Sequence, residues 1–317
     1  MRIVSSFLHL TELAPLAKAG ADEVYCAVKP IPSFGHGAVL RDMPALKKAV
    51  RRAHSLGLKI SLAVNSVIFS FDPSREDRLL ELLAEADDAG VDNFIAANTA
   101  IFALFSKLKR VRAGLHLSSV QPCFNSLTAD LFIKLGVSRI ILPNQLSPFE
   151  ARKIIKLCRS KGVETEIFDY RFFGCAYVNG RCYMDLPDHC TFNPGYSGGT
   201  MCHPNLQAGG LPAPRVINPD PEWKPRLGGI IQRFSDRFAY GTTPRISNPA
   251  SFFDFFSGGV DYLKYGIRMD SCGDKLKKVR ELRVMLDLAE NISGTLPRQE
   301  ARLKFIEKMS KWFSCRL

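Results

Sequence analysis

The stretch Gly20-Ala-Asp-Glu-Val-Tyr-Cys-Ala-Val28 joins a glycine and a short polar step to a run of β-branched, aromatic and small residues. A glycine at the end of a helix adopts the left-handed conformation, where a side chain would clash, and lets the chain turn at once into the next strand. The residues before Gly20 have helical spacing. We therefore interpret this stretch as the junction between a helix and a strand in a βα repeat.

The same pattern returns along the chain. Glycine-led junctions at 57–58, 90–92, 136–138, 162–163 and 259–261 precede predicted strands at 59–64, 93–96, 139–142, 164–168 and 262–265. Segments 2–5 and 114–118 bring the count to eight strands, most of them apolar on both faces, as buried parallel strands are. This predicts an α/β fold, a (β/α)8 TIM-type barrel with functional groups on the loops after the strands. A doubly wound open sheet is the alternative, because periodicity does not show closure.

The helices between the strands carry start signals. Ser74-Arg-Glu-Asp77 fits a capping box, Ser147-Pro-Phe-Glu150 places Ser at the cap and Pro in the first turn, and Asn248-Pro249 repeats that device. We assign residues 1–272 to the barrel, with an insertion at 171–247 after strand seven. Residues 273–317 are predicted to form amphipathic helices packed on it.

The composition is that of a globular protein. Of 317 residues, 46% are apolar and 23% charged, which disfavours disordered, collagenous and coiled-coil proteins. No charge-free apolar stretch reaches the length of a membrane span, so we expect a cytoplasmic protein without membrane insertion. The net charge of +12 favours anionic partners, RNA among the possibilities.

The insertion at 171–247 is unusually long and holds nine of the nineteen prolines and ten of the twenty-three glycines. It also holds four of the nine cysteines, in the pattern Cys175-x6-Cys182-x7-Cys190-x11-Cys202. Loops of this length are usually functional or fold around a bound group. Four soft thiolates suit an iron–sulfur cluster or a tetrahedral zinc, and His189 and His203 beside two of them keep zinc open.

Other polar residues are candidates for proton transfer. Glu166 and Tyr170 lie near the end of strand seven, where a carboxylate and a phenol suit this role, although Glu166 fits a structural ion pair equally well. His36 lies in a loop after strand two, and His116 is predicted to be a hydrogen-bonded core residue. Gly195-Tyr-Ser-Gly-Gly199 matches G-x-S-x-G, but Pro194 precedes it instead of a strand, which disfavours Ser197 as a nucleophile. The remaining cysteines Cys26, Cys123, Cys158 and Cys315 are predicted to be inert thiols.

One part of the chain resembles a known family. Glu166-Ile-Phe168 followed by Gly174-Cys-x6-Cys182, with Gly180-Arg181 before the second cysteine, is similar to the signature of the collagenase-like peptidases of family U32, in particular to its UbiU/UbiV-like iron–sulfur proteins. Supporting segments include Gly20–Tyr25, Ser119-Val-Gln121 and Asp261-Tyr-Leu-Lys264. The resemblance covers residues 1–270 approximately.

The resemblance implies a barrel with a four-cysteine [4Fe–4S] cluster. It implies a part in oxygen-independent hydroxylation, of a ubiquinone-precursor ring or of RNA bases, with prephenate as the oxygen donor; other members carry peptidase or collagenase labels. By position, Cys175 and Cys182 match the first two ligands and Cys202 the third. The fourth has no match, and we take Cys190 in preference to Cys272. The chain also reads Lys264-Tyr-Gly-Ile-Arg268 where relatives have Ile-Glu-Gly-Arg.

The leading hypothesis from the sequence is an iron–sulfur enzyme, or a component of one, with its cluster on Cys175, Cys182, Cys190 and Cys202. Arg181 and Arg268 would bind a prephenate-like anionic oxygen donor, since a carboxylate needs charge-assisted contacts. Two alternatives remain. One is a peptidase, and the other is a non-catalytic cluster-binding subunit paired with a homologous partner.

Overall fold

Eight parallel strands form a closed barrel in the computed structural model, which describes residues 1–33, 40–66, 73–108, 110–143, 146–168, 249–266 and 270–314. Each strand pairs with the next in sequence, and β1 pairs with β8, which closes the sheet. This confirms the predicted barrel and excludes the doubly wound sheet. The strands are β1 (Arg2–Ser6), β2 (Glu23–Cys26), β3 (Lys59–Val64), β4 (Asn93–Ala96), β5 (Gly114–Leu117), β6 (Arg139–Ile141), β7 (Glu164–Phe168) and β8 (Tyr262–Tyr265).

The helices surround the barrel. A 3-10 turn (Leu10–Glu12) precedes the first helix. The helices among the described residues are α1 (Leu13–Ala19), α2 (Met43–Ser55), α3 (Pro73–Asp88), α4 (Thr99–Lys107), α5 (Ser126–Lys134), α6 (Pro148–Ser160), α7 (Pro249–Gly258), α8 (Cys272–Ser293) and α9 (Arg298–Ser314). The main apolar core lies between these helices and the outward faces of the strands.

The start signals of the helices are mostly confirmed. Ser147 caps α6 in a capping box with Glu150, and α7 begins at Pro249. The predicted cap at Ser74 is displaced by two residues, since α3 begins at Pro73 and not at residue 75. Strand β2 is shorter than predicted, because Val28 leaves the barrel to form an isolated bridge with Leu40.

The junction glycines behave as predicted. All six, from Gly20 (φ 100°) to Gly259 (φ 84°), have positive φ. The aspartate two residues after three of them has a further role, because each carboxylate accepts a hydrogen bond from a backbone N–H near the start of the preceding strand. Asp22 accepts from Ile3 at 2.7 Å, Asp92 from Ile60 at 2.8 Å, and Asp261 from Thr165 at 2.7 Å. The repeat therefore ties neighbouring strands together at their amino ends.

The carboxyl-terminal helices complete the helical layer. Helix α8 packs on α1 and β1, and its buried Lys275 forms an ion pair with Glu12 at 2.9 Å. Helix α9 packs on α7, where Phe305 stacks on Phe252 with a centroid distance of 5.4 Å. Among the described residues, no helix combines the length and the apolar character that crossing a bilayer requires.

Candidate active site at the carboxyl end of the barrel

The inside of the barrel is strongly polar. A small apolar cluster of Val4, Tyr25, Ile95, Ile141 and Tyr262 is separate from the main core and marks which strand positions face inward. Since alternate residues of a strand point to opposite faces, the charged and polar residues two positions away from these face inward as well. The buried polar residues at such positions are Ser6, Glu23, Asn93, Arg139 and Lys264, together with Glu166 two positions before Phe168, which packs against the cluster. Ser61 and His116 also face inward, because they pair in register with Tyr25 and Ile95.

Arg139 is the hub of the inward-facing charges. Its guanidinium is 1% exposed and lies 3.0 Å from a carboxylate oxygen of Glu23, 2.9 Å from Glu166 and 3.0 Å from Glu164. It also lies over the ring of Tyr262, with 3.4 Å between its central carbon and the ring centroid. Burial opposes the charge, but Glu23 and Glu166 outweigh it and raise the pKa of Arg139 above its ordinary value. Arg139 therefore stays protonated.

Glu23 and its neighbours extend this network sideways. Ser61 donates a hydrogen bond of 2.6 Å to Glu23, and Asn93 donates one of 3.1 Å to Ser61. Burial is the main cause of the raised pKa of Glu23, and the nearby charge of Glu166 adds to it while Arg139 opposes it. The second oxygen of Glu23 has an ion-pair contact with Arg139 but no hydrogen bond of good geometry. Burying the carboxylates of Glu23 and Glu166 close together therefore costs free energy, which their ion pairs with Arg139 offset.

Lys264 lies toward the carboxyl end of the barrel. Its Nζ is 3.2 Å from Glu166 Oε1 and 4.1 Å from the ring centroid of Tyr25, whose hydroxyl donates to the Gly266 carbonyl at 2.7 Å. In the strand register Lys264 is paired with Phe168, the last residue of β7. Burial lowers the pKa of Lys264, although Glu166 opposes this. A buried lysine with a lowered pKa can bind an anion or exchange a proton, so Lys264 is a candidate functional residue.

His116 is a further titratable group of the interior. It is buried as predicted, but within the described part of the chain its Nδ1 has no hydrogen-bond partner. Burial is the main cause of a pKa well below the ordinary value, and the cations Arg139, Lys264 and Lys59 lower it further. The imidazole is therefore neutral.

The residues predicted from the sequence have different outcomes. Glu166 faces the barrel interior and forms ion pairs with Arg139 and Lys264, so the structural ion pair expected from the sequence is present. The same position also lies beneath the mouth of the barrel. The other predicted residues lie outside the described residues: Tyr170, His36, Arg181, Arg268, Cys175, Cys182, Cys190 and Cys202. Sequence reasoning missed Arg139 and Lys264 as site residues. The signal was a charged residue within a short buried strand, at an inward position.

Two of the described cysteines, Cys123 and Cys158, do not suit a metal. Burial raises the pKa of Cys123 to about 12 and that of Cys158 to about 11, so both thiols are protonated, whereas a metal ligand is a thiolate. Cys26 belongs to the core between strands and helices, and Cys272 is half-buried at the start of α8. No group of three or more metal-ligating side chains occurs among the described residues. The four cysteines predicted as metal ligands belong to the connection between β7 and α7 and lie outside the described residues.

The connection between β7 and α7 starts at the carboxyl end of the barrel. Phe168 ends β7 at the carboxyl end of the barrel, the end at which barrel enzymes have their active sites. The sequence profile of peptidase family U32 matches residues 8–186, which includes Cys175 and Cys182. The chain belongs to peptidase family U32. This U32 chain therefore has both the barrel and, within the matched residues, the first two cysteines of the four-cysteine pattern.

Several curated proteins are similar to this U32 chain. An uncharacterized protease of Methanocaldococcus jannaschii is 26% identical over 58% of this chain and 44% of its own length. The tRNA hydroxylation protein P of Helicobacter pylori strain J99 is 28% identical over 58% of this chain and 42% of its own. The collagenase of Porphyromonas gingivalis is 26% identical over 54% and 42%. The chain spans less than half the length of these relatives.

A solved U32 peptidase is also similar, with 15% identity, a TM-score of 0.44, and coverage of 53% of this chain and 68% of that chain. The relatives thus carry names from two kinds of chemistry, hydroxylation and proteolysis.

Proposed function

We propose that this chain is an iron–sulfur protein that takes part in oxygen-independent hydroxylation of an aromatic ring or a nucleobase. The observation that carries the proposal is the position of the four cysteines. In the sequence they follow β7, on the connection that leaves the barrel at its carboxyl end, the end toward which Lys264 lies. The name of the Helicobacter pylori relative, a tRNA hydroxylation protein, supports the same class of reaction.

The cofactor is proposed to be a [4Fe–4S] cluster on Cys175, Cys182 and Cys202, with Cys190 as the fourth ligand. When bound, such a cluster supplies electron transfer. Zinc on the same thiolates is the alternative.

The residues of the chain would bind and orient the reactants. A prephenate-like donor carries carboxylates, which need cations in a water-poor site. Lys264 supplies one cation at the floor of the mouth, and Glu166 fixes the position of its ammonium group. Arg181 and Arg268 are proposed to provide the other contacts. Arg139 and Lys264 together balance Glu23 and Glu166, so a donor carboxylate would share the ammonium of Lys264 with Glu166.

The test is an analysis of iron and acid-labile sulfide in protein purified without oxygen. We expect a brown protein with a broad visible absorption band that reductant bleaches. Separate Cys175→Ala, Cys182→Ala and Cys202→Ala substitutions are expected to lower the iron content strongly. Cys158→Ala is the matched control, because that thiol is protonated and lies in α6. A colourless protein with stoichiometric zinc contradicts the proposal.

The fourth ligand and the role of Lys264 have their own readouts. Loss of iron in Cys190→Ala but not in Cys272→Ala supports Cys190, and the reverse assigns Cys272. Lys264→Met is expected to retain its iron while weakening binding of the carboxylate donor. Unchanged donor binding contradicts the role given to Lys264.

The names of two relatives favour a second candidate function, a peptidase. Cleavage of gelatin that survives replacement of Cys175 and Cys182 supports it. A protein that holds its cluster but is inactive until a homologous partner is added supports the non-catalytic subunit.

A further inference from the structure

The outer face of α5 and α6 is unusual in both hydrophobicity and charge. Five of the eight large apolar side chains that are exposed in the described residues lie on it: Phe124, Leu127, Leu131, Leu135 and Phe149. Leu127 is 83% exposed and Phe149 is 66% exposed. Apolar residues at 127, 131 and 135 recur every four positions and form one row along α5. We call these five side chains the apolar row.

Helix α5 is apolar on its inner side as well. Ala129 and Phe132 are buried, and the ring of Phe132 packs against Phe102 of α4 with a centroid distance of 5.4 Å. Between these two faces Asp130 pairs with Lys134 at 2.6 Å, so the exposed leucines are the apolar part of the outer surface of α5. Contiguous exposed apolar side chains of this kind mark an interaction surface.

Basic residues flank the apolar row. The exposed face of α6, which packs against α5, carries four cations, and among the described residues none of them has an ion-pair partner: Arg152, Lys153, Lys156 and Arg159. Arg152 instead lies over the ring of Phe149, 3.9 Å from its centroid. Arg159 donates to the Gly259 carbonyl at 3.1 Å, so Arg152, Lys153 and Lys156 are the cations of α6 that are available to an anionic partner. Helix α2 also carries exposed cations, but none of the large apolar side chains exposed in the described residues lies on it.

A second copy of this chain does not fit this surface. If two copies of α5 pair antiparallel about a two-fold axis, the basic face of α6 meets itself. If they pair in parallel, α6 meets the side of α4, which has no carboxylate of its own; Lys107 at its end is paired with Glu76, and Arg110 follows the helix. Both arrangements bring like charges together in a chain of net charge +12. RNA would satisfy the cations but would leave the leucines of α5 in contact with phosphates or water.

We infer that the α5–α6 face is a docking surface for an anionic lipid bilayer. A bilayer presents phosphates above hydrocarbon, so cations of α6 can remain at the headgroups while protruding leucines and phenylalanines enter below them. Leu127 and Phe149 protrude most, and both lie near the amino ends of their helices. Those ends lie at the carboxyl end of the barrel, because helices of a (β/α)8 barrel run opposite to its strands. Docking here brings the mouth of the barrel to the membrane surface.

The experiment is sedimentation of the full chain with vesicles of equal parts phosphatidylglycerol and phosphatidylcholine, compared with phosphatidylcholine alone. We expect binding to the anionic vesicles that weakens as salt is added. Each cation near the surface contributes about a five-fold increase in affinity, so Lys153→Gln with Lys156→Gln is expected to weaken binding about 25-fold. Leu127→Ser with Leu131→Ser is expected to weaken binding while leaving its salt dependence unchanged.

The matched controls change the same residue types elsewhere. Lys48→Gln with Arg52→Gln removes two exposed cations from α2, and Leu303→Ser removes an exposed leucine from α9. Both are expected to leave binding almost unchanged. All substituted side chains are exposed, so the thermal unfolding midpoint and the iron content are expected to match the wild type, which separates this inference from the proposed function.

Four results overturn the inference. They are an absence of binding to anionic vesicles, an equal loss in the α2 control, self-association that Leu127→Ser abolishes, and binding of transfer RNA but not of vesicles through the same residues. An acidic protein that displaces the chain from vesicles only through the apolar row would also assign the surface to a protein partner and overturn it.

Discussion

A guanidinium that is 1% exposed needs carboxylates around it, and Arg139 contacts three of them. Replacing Arg139 by Met leaves Glu23 and Glu166 buried without their main counter-charge. We expect the free energy of unfolding to fall by about 3–5 kcal/mol, measured by urea denaturation. Adding Glu23→Gln and Glu166→Gln to this variant is expected to restore part of the stability.

The loss in Arg139→Met is expected to depend on pH. Burial already raises the pKa of Glu23 in the folded wild type, and without Arg139 the pKa rises further. The folded variant then binds more protons than the unfolded chain between the ordinary and the raised pKa, so its stability falls as pH increases through that window. The variant is expected to be closer to wild type at pH 5 than at pH 8. A loss independent of pH would contradict this account.

The pH dependence of stability that Lys264 contributes is expected to have the opposite sign to that of Glu23. Burial lowers its pKa, so between the lowered value and the ordinary 10.5 the unfolded chain binds more protons than the folded one. Its contribution to stability therefore increases as pH rises through this window. Relative to Lys264→Met, the wild type is expected to gain stability as the pH rises toward 10.5 in urea denaturation. A constant difference would show that Lys264 remains charged throughout.

At the scale of elements, the aspartates of the glycine-led junctions bond one strand to the next. Asp92 accepts from the Ile60 N–H at 2.8 Å and lies 2.9 Å from His54. Asp92→Asn weakens a charge-assisted bond at the amino end of β3, and we expect a loss of about 1–3 kcal/mol in the free energy of unfolding. Asp88→Asn, at an exposed position near the end of α3, is the control and is expected to change stability by less than about 0.5 kcal/mol. Equal effects at both sites would exclude the strand-bridging role.

These junctions also show why the elements were predictable. A positive-φ glycine and an apolar strand are properties of a few consecutive residues, so local sequence was sufficient to locate all eight strands. The contacts among inward-facing side chains could not be predicted from local sequence. Arg139 and Glu23 are 116 residues apart in the chain, and only barrel closure places them 3.0 Å from each other. Sequence position therefore identified Glu166 but gave no indication of Arg139 or Lys264 as its partners.

At the scale of the whole molecule, closure itself was the uncertain step, since an open sheet has the same strand and helix periods. The pairing of β1 with β8 settles it. The carboxyl-terminal helices then cover the outside near that seam, because α8 packs on α1 and β1 while α9 packs on α7. The apolar residues of α7 that face α9 show how much the barrel depends on this cover.

Removal of α9 is expected to make the chain aggregate. Phe305 lies 5.4 Å from the ring centroids of both Phe252 and Phe253, and all three side chains are buried. Truncation before residue 298 would expose both rings of α7 and also free Asp254 from Arg302, which holds it at 2.7 Å. Exposed aromatic patches of this kind promote association, so we expect loss of the monodisperse peak in size-exclusion chromatography and a less cooperative urea transition. Removal of residues 315–317 alone is the control. An unchanged elution profile after loss of α9 would mean that α7 packs well enough without it.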